Sequence, residues 1–303
     1  MTEIKNNKND LNELNAPNPS KLRISTMTAT CKLGSSVDLE NLYKNVEINS
    51  FLTYIDFGGF PPRGFNPKNI SEKKANKKKV FYNQITAILQ LMPGITINVK
   101  LFNNGAISMT GLKDEEYGIE AINKFADTIN GVSDNKCKLS DFNIVLINSD
   151  YHIGYEVKRD ILHQILIKQF KIYSSYEPCI YPGVNSKYFW NEDYKNKEYI
   201  GRCYCTKSCE GKGTGKGNGN CKKITISTFQ SGSVIITGAR NKEQIKNAYD
   251  FINNIFKKYY SILKKENAPF LELEDTNIKQ TKKIEDNIVY LKKSNIKILY
   301  QKE

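Results

Sequence analysis

One stretch of this chain is written twice. "FNNGAISMTGLK" runs from Phe102 to Lys113 and "FQSGSVIITGAR" from Phe229 to Arg240, at an offset of 229 − 102 = 127 residues. Each copy has Phe, two small or polar residues and Gly, then a short strand ending in Thr-Gly. Each is followed by a helical pattern. The spacing predicts Ile119, Ile122, Phe125, Ala126 and Ile129 on one face of the first helix, and Ile245, Ala248, Tyr249, Ile252, Ile255 and Phe256 on one face of the second. Upstream, "LRISTMTATCKL" and "FNIVLINSDYHI" read as strands, each leading into a shorter helix, with Ser36 as the N-cap of the first. "VFYNQITAILQL", Met92-Pro93-Gly94 and "ITINVKLF" read as a hairpin. Such a repeat sets the architecture. One unit of strand, helix, antiparallel strands and long helix leaves a sheet edge uncovered. Two units side by side form one continuous α+β sheet with its long helices on one face. The other face stays broad and open, and an open basic face calls for a ligand.

Charge points the same way. Lys and Arg number 45 against 32 Asp and Glu, a formal net charge of +13, which favours a polyanionic partner without naming one. No apolar run approaches the roughly 18–20 residues of a membrane span. The first residues are polar and lack a signal-peptide core. A soluble, intracellular protein with no membrane partner is expected. The 7 cysteines are an odd number, which argues against a disulfide framework. No nucleophile–base arrangement is apparent, His163 falls in a packed helical pattern, and no enzyme is expected. Gly215-Lys216 is followed by Gly217, so the glycine-rich run is not a phosphate loop.

Further matches fall in the same order along the chain: "SSYEPCIYPG" (Ser174–Gly183), "DFNIVLINSD" and "STMTATCKL". Together with the doubled stretch they resemble the TATA-box-binding protein family, over about Lys21 to Lys265. The resemblance implies a pseudo-twofold saddle. A continuous curved antiparallel sheet would lie on the DNA minor groove, with helices on the convex face. It implies a transcription initiation factor that binds and bends AT-rich promoter DNA and recruits a B-type initiation factor and RNA polymerase. It would act as a monomer on DNA, with a dimer open to the free protein. A sequence-neutral architectural or DNA-packaging protein on the same fold is the alternative. A DNA-binding module of an enzyme is a further one, against which the lack of an attached catalytic domain counts. The expected divisions are a tail at 1–20, repeats at 21–134 and 138–265, and an extension at 266–303, read as an added amphipathic helix. Divergence and Lys-, Asn- and Ile-rich usage resemble versions carried by large DNA viruses, which implies a nucleus, viral factory or virion.

The resemblance also implies site residues. Phe102 and Phe229 match wedge phenylalanines that open base steps, and Tyr181 stands where the second repeat has its other wedge. For the fourth, Phe81 is preferred, with Ile85, Phe60 and Phe65 as alternatives. Asn143 matches an Asn that reaches base acceptors at the footprint's centre, and its first-repeat counterpart is Leu22 or Arg23. Thr110, Thr237 and Ile235 match groove contacts, with Ser108 in place of Ile235's partner. Ala106 and Ser233 stand where the family has lysines, so Lys100, Lys187 and Arg240 are the phosphate contacts expected instead. Glu177 matches an acidic position gripped by the B-type factor, and Cys179 replaces a second.

Two insertions depart from the family. Phe57 to Lys79 is basic and punctuated by proline, a candidate clamp for phosphates or a partner. About Asn191 to Lys223 carries Cys203, Cys205, Cys209 and Cys221. Four thiols offer the donors of a structural zinc site, although C-x-C-x3-C-x11-C is not a standard knuckle spacing. A flexible lysine-glycine loop with reduced thiols is the alternative, and no other cofactor is required. The loop is expected as a knob beside Glu177, tuning partner choice.

Overall fold

The computed structural model describes residues 16–66, 80–133, 136–194, 198, 200–266, 288–293 and 296–301. Two units are present, Met1–Lys265 and Glu266–Glu303. In the first, one half contains β1 (Arg23–Lys32), α1 (Leu39–Asn45), β2 (Leu52–Phe57), β3 (Arg63–Gly64), β4 (Gln84–Met92), β5 (Ile95–Phe102), β6 (Ala106–Leu112) and α2 (Glu115–Val132). The other contains β7 (Ser140–His152), α3 (Arg159–Lys168), β8 (Tyr173–Ser175), β9 (Val184–Trp190), β10 (Lys222–Thr228), β11 (Ser233–Ala239), α4 (Lys242–Lys258) and the short α5 (Tyr260–Leu263). The strands form one curved, unclosed 11-stranded sheet in the order β3-β2-β4-β5-β6-β1-β7-β11-β10-β9-β8. Apart from the edge strand β3, this order is a palindrome about the antiparallel β1–β7 pair. The pseudo-dyad therefore passes between those two strands, where Arg23 pairs with Asp150 and Thr30 with Asn143.

The core lies between the sheet and the helices. β6 buries Ile107, Met109 and Leu112, and β11 buries Val234, Ile236 and Ala239. The period of two sends Ser108, Thr110, Ile235 and Thr237 to the other face, where they stay partly or fully exposed. α2 buries Ala121, Ile122, Phe125, Ala126 and Ile129, but its apolar stripe begins at Gly118, with Ile119 outward and 39 % exposed. Gly118 faces Leu112 and Phe142, whose side chains a Cβ there would meet at 3.0 and 3.1 Å. In α4, Tyr249 is half-buried and Phe251 takes a place in the core. The N-cap of α1 is Asp38, which accepts from the Asn41 amide at 2.9 Å, rather than Ser36. The helix begins at Leu39, too far on for Ser36 to reach. No described helix is long and apolar enough to cross a membrane.

The doubled stretch now has a backbone cause. In each copy the glycine amide donates back to the Phe carbonyl: Gly105 to Phe102 at 2.9 Å and Gly232 to Phe229 at 3.0 Å. Both glycines have positive φ, 78° and 88°. A Cβ at Gly105 would lie 2.1 Å from the Ser35 carbonyl oxygen, and one at Gly232 2.1 Å from that of Tyr155. Gly232→Ala is therefore expected to destabilise the first unit by about 2 kcal/mol, through strain and displaced backbone. Chemical denaturation at unchanged m-value checks this, and an unaltered midpoint would contradict it.

In the first insertion, Arg63 does not reach out for phosphate. Its guanidinium donates to the carbonyls of Tyr43 and Val46, the latter at 2.8 Å, closing the C-terminal end of α1. Residues 67–79, which hold its lysine run, lie outside the described residues, as do residues 1–15 of the expected tail. The second unit shows an antiparallel hairpin, β12 (Ile288–Lys293) with β13 (Ile296–Gln301), where an amphipathic helix was expected. Its β-branched and aromatic residues favour extended backbone.

Candidate nucleic-acid interface

The helix-free face is organised in rows that cross the strands. Register aligns Thr86, Lys100, Ser108, Thr30 and Asn143 in one row. The dyad-related row is Asn185, Ser227, Ile235, Asp150 and Arg23. A second row in the β7 half runs Lys187, Thr225, Thr237, Asn148 and Thr26. Within it Thr237 donates its hydroxyl proton to Asn148, and the Lys187 amine donates to Thr225 at 3.0 Å. Burial, then repulsion from Lys223, lowers the Lys187 pKa below the ordinary lysine value.

The open choice opposite Asn143 is resolved by register. Thr110 pairs with Thr28 and Thr237 with Asn148. The same step upstream, 28 − 23 = 148 − 143 = 5, leads to Arg23 and Asn143. The two are held differently. Asn143 donates to the Asp141 carbonyl at 2.8 Å. Arg23 donates to Asp150 from Nε at 3.1 Å and from a terminal nitrogen at 2.8 Å, and Ser25 donates to the other carboxylate oxygen at 2.5 Å. The Ser25 bond, against the opposing effect of burial and with help from Arg23, holds the Asp150 carboxyl below its ordinary range. The centre of the face is thus asymmetric: an ion pair on one side of the dyad, an amide and a threonine on the other. Sequence inspection missed Asp150 and Ser25, because only strand register brings them to Arg23.

The aromatic residues gather where the strands turn. Tyr181 and Phe229 meet edge to face with centroids 5.8 Å apart, above Gly183. Arg159 ties the two loops together by donating to the Pro182 carbonyl and, at 3.0 Å, to Gln230. Its role carried no motif in the sequence. In the other half, Phe102 lines a depression of about 400 Å³ with Thr30, Lys32, Ser108, Asp141 and Asn143. Phe102 pairs with Gln84, and Phe229 follows Thr228, the partner of Val184. Counting back in step, 84 − 82 = 183 − 181, the counterpart of Tyr181 is Tyr82, which is 74 % exposed. Phe81 is its neighbour, 47 % exposed. Of the alternatives, Ile85 is fully buried, Phe60 packs on Tyr43 and Phe57, and Phe65 is exposed.

Lys100 is exposed in its row. Arg240 is partly buried, and its Nε has no hydrogen-bond partner among the described residues. Glu177 and Cys179 are exposed on the loop between β8 and β9, whose turn is made by the Ile180 and Tyr181 amides donating to the Glu177 carbonyl. Beside them Ile180 is 85 % exposed. The cysteine insertion does not sit next to this loop. It connects the far ends of β9 and β10, at the Trp190–Lys222 pair, whereas Glu177 precedes the Val184 end. The length of β9, about 20 Å at a rise of 3.3 Å per residue, separates the two ends. The insertion instead folds back on the helix layer, where Gln244 of α4 donates to the Thr214 carbonyl at 3.2 Å. It brings the Sγ atoms of Cys203, Cys205, Cys209 and Cys221 within 4.8 Å of one another, a group able to hold a metal.

Comparison with known proteins adds to this geometry. A family model described as transcription factor TFIID, or TATA-binding protein (TBP), matches residues 141–259. A TATA-box-binding protein-like protein of Acanthamoeba polyphaga mimivirus is 32 % identical over 271 residues, which cover 82 % of this chain and 68 % of that protein. The chain belongs to the TATA-box-binding protein family. The matched stretch 141–259 spans β7 to the end of α4, so the family signature lies in the half that also holds Asn143, Tyr181 and Phe229. The TATA-box-binding protein of Dictyostelium discoideum is 24 % identical over 168 residues, 55 % of this chain and 62 % of its own length. A Methanococcus jannaschii TBP structure aligns with 80 % of this chain and all of its own, at a TM-score of 0.43 and 16 % identity.

Proposed function

We propose that this family member binds AT-rich promoter DNA with its helix-free face in the minor groove, bends it, and recruits a B-type initiation factor and RNA polymerase. The observation that carries the reading is the pseudo-twofold face itself, with aromatic residues at both ends and short polar and apolar side chains between. Minor-groove edges offer few distinguishing groups, so Thr, Asn and Ile suffice to read A·T against G·C. Wedging aromatic side chains between base steps is the family's general device for kinking the duplex. In this reading Phe102 and Phe229 serve as wedges, with Tyr181 and, at its counted counterpart, Tyr82 beside the sequence candidate Phe81. Lys100, Lys187 and Arg240 supply phosphate contacts, and the net charge of +13 adds counterion release. The exposed Glu177–Ile180 turn is the surface offered to the B-type factor, and Cys179 narrows the set of factors that fit.

Competition separates this reading from a sequence-neutral architectural role. At fixed moderate salt, a duplex with an AT-rich core should displace labelled AT-rich DNA at least about tenfold better than a GC-rich duplex of equal length, a difference of roughly 1.4 kcal/mol. Equal competition would leave the architectural role standing in its place.

A further inference from the structure

Among its described residues, the β9–β10 insertion buries no apolar side chain of its own before Cys221. Between residues 192 and 220, the buried positions among the described residues are glycines: Gly201, Gly211 and Gly215. A segment of this length whose described residues bury no apolar side chain needs another source of order, and small metal sites are a common one. The segment nonetheless holds a definite course. The Asn218 side-chain Oδ1 accepts from the Thr206 and Lys207 backbone amides at 2.9 and 3.3 Å, and the Gly213 amide donates to the Cys221 backbone carbonyl at 3.1 Å. Through this course the chain brings Cys221, fully buried at the foot of β10, to meet Cys203, Cys205 and Cys209.

The sulfur spacing is that of a coordination sphere. Cys205 and Cys221 are 3.4 Å apart, Cys203 and Cys221 3.7 Å, and no pair among the four exceeds 4.8 Å. A disulfide requires about 2.05 Å. A tetrahedron of Zn–S bonds near 2.3 Å sets its sulfurs about 3.8 Å apart, inside the observed range. Asn191, itself buried, donates to the Cys221 sulfur at 3.5 Å and to the Gly217 carbonyl at 2.9 Å. That is the outer hydrogen bond by which a ligand is oriented. Four thiolates on a divalent cation leave a negative centre, and Arg202 and Lys207 flank the cysteines in sequence to offset it.

We propose that Cys203, Cys205, Cys209 and Cys221 bind one structural zinc ion that locks the insertion onto the helix layer beside α4. The zinc stands in for the buried apolar side chains that the described residues of this segment lack. Asn191 and Arg202, beside the cluster, line a cavity of about 360 Å³ together with Tyr188, Trp190, Phe251 and Ile255. Because the site lies on the side away from the aromatic pair, loss of zinc should leave DNA binding largely intact.

The test uses the full-length chain, produced with zinc in the medium and purified in reducing buffer without chelator. Mass-spectrometric metal analysis should find about one zinc per chain, the stoichiometry of a closed tetrathiolate site. Cobalt added to the metal-stripped chain should give the intense visible bands and sulfur-to-metal charge transfer of tetrahedral thiolate coordination. A maleimide should label exposed Cys179 quickly and the four cluster thiols only after a strong chelator is added. Cys209→Ser should lower zinc affinity by at least about 100-fold, the upper end of what outer-shell changes alone produce. Because that variant can also misfold the loop, the metal content and labelling of the unaltered chain carry the decision. Zinc well below one per chain with all cluster thiols labelled as fast as Cys179 would overturn the proposal. So would a disulfide within the cluster, or undiminished zinc affinity in Cys209→Ser.

Discussion

Replacing both Phe102 and Phe229 by alanine is expected to abolish most DNA bending and to weaken binding by about 10³-fold. Each ring is a contact of the central, desolvated kind whose truncation costs about 2 kcal/mol, and 1.4 kcal/mol is a factor of ten. The fold should survive. Both rings are only partly buried at the ends of β5 and β10, and the turns beside them are held by the Gly105 and Gly232 amide bonds rather than by the rings. End-to-end energy transfer on a doubly labelled AT-rich duplex reports the bend, and circular dichroism the fold. The single Phe229→Ala variant should lose less than the double one, since Tyr181 remains beside the vacated place. A double variant that still bends DNA fully would show that the wedges lie elsewhere, with Tyr82 and Tyr181 the first residues to replace next.

The second large effect is expected at the dyad. Asp150 is an anion on the face proposed to meet DNA, and Arg23 and Ser25 hold it. Arg23→Ala leaves that carboxylate facing the acceptor-lined minor groove without its cation, and binding should weaken by about 2–3 kcal/mol, roughly 30- to 150-fold. Asp150→Asn on the Arg23→Ala background removes the stranded charge and should restore much of the loss. Arg23→Asn with Asp150→Thr rebuilds the side chains that Asn143 and Thr30 present across the dyad. That variant should bind a given AT-rich site in both orientations more evenly than the natural chain, which footprinting with an orientation-specific cleavage probe reads directly. Salt sensitivity separates the cause. If the loss in Arg23→Ala is the same at low and high salt and Asp150→Asn does not rescue it, the ion pair is not what the DNA feels.

Much of this was legible in the chain before any coordinates. The doubled Phe-x-x-Gly and Thr-Gly stretches predict two equivalent halves, because each glycine answers a steric demand that only a particular hairpin makes. Period-two and period-3.6 patterns then divide the halves into strands and helices, since burial on one face is a local property of the repeat of side chains along an element. What stayed hidden is what depends on strand register and on how loops return to the core. Arg23 and Asp150 are 127 residues apart and meet only because β1 and β7 pair at the dyad. That Tyr82, and not Phe81, is in step with Tyr181 comes only from counting back from Gln84, whose pairing with Phe102 the folded sheet sets. The cysteines announced themselves by composition, but their convergence, and their position at the far end of β9 from Glu177, follow from a hairpin whose two strands part there. Sequence alone determined the doubling, the family and the element types of the two repeats, since these rest on residues near one another in the chain, but not the hairpin of the C-terminal extension. Tertiary structure alone decided which side chains share a row, which charges neutralise each other and where the insertion lies, because those are distances between segments that only the folded sheet brings into register.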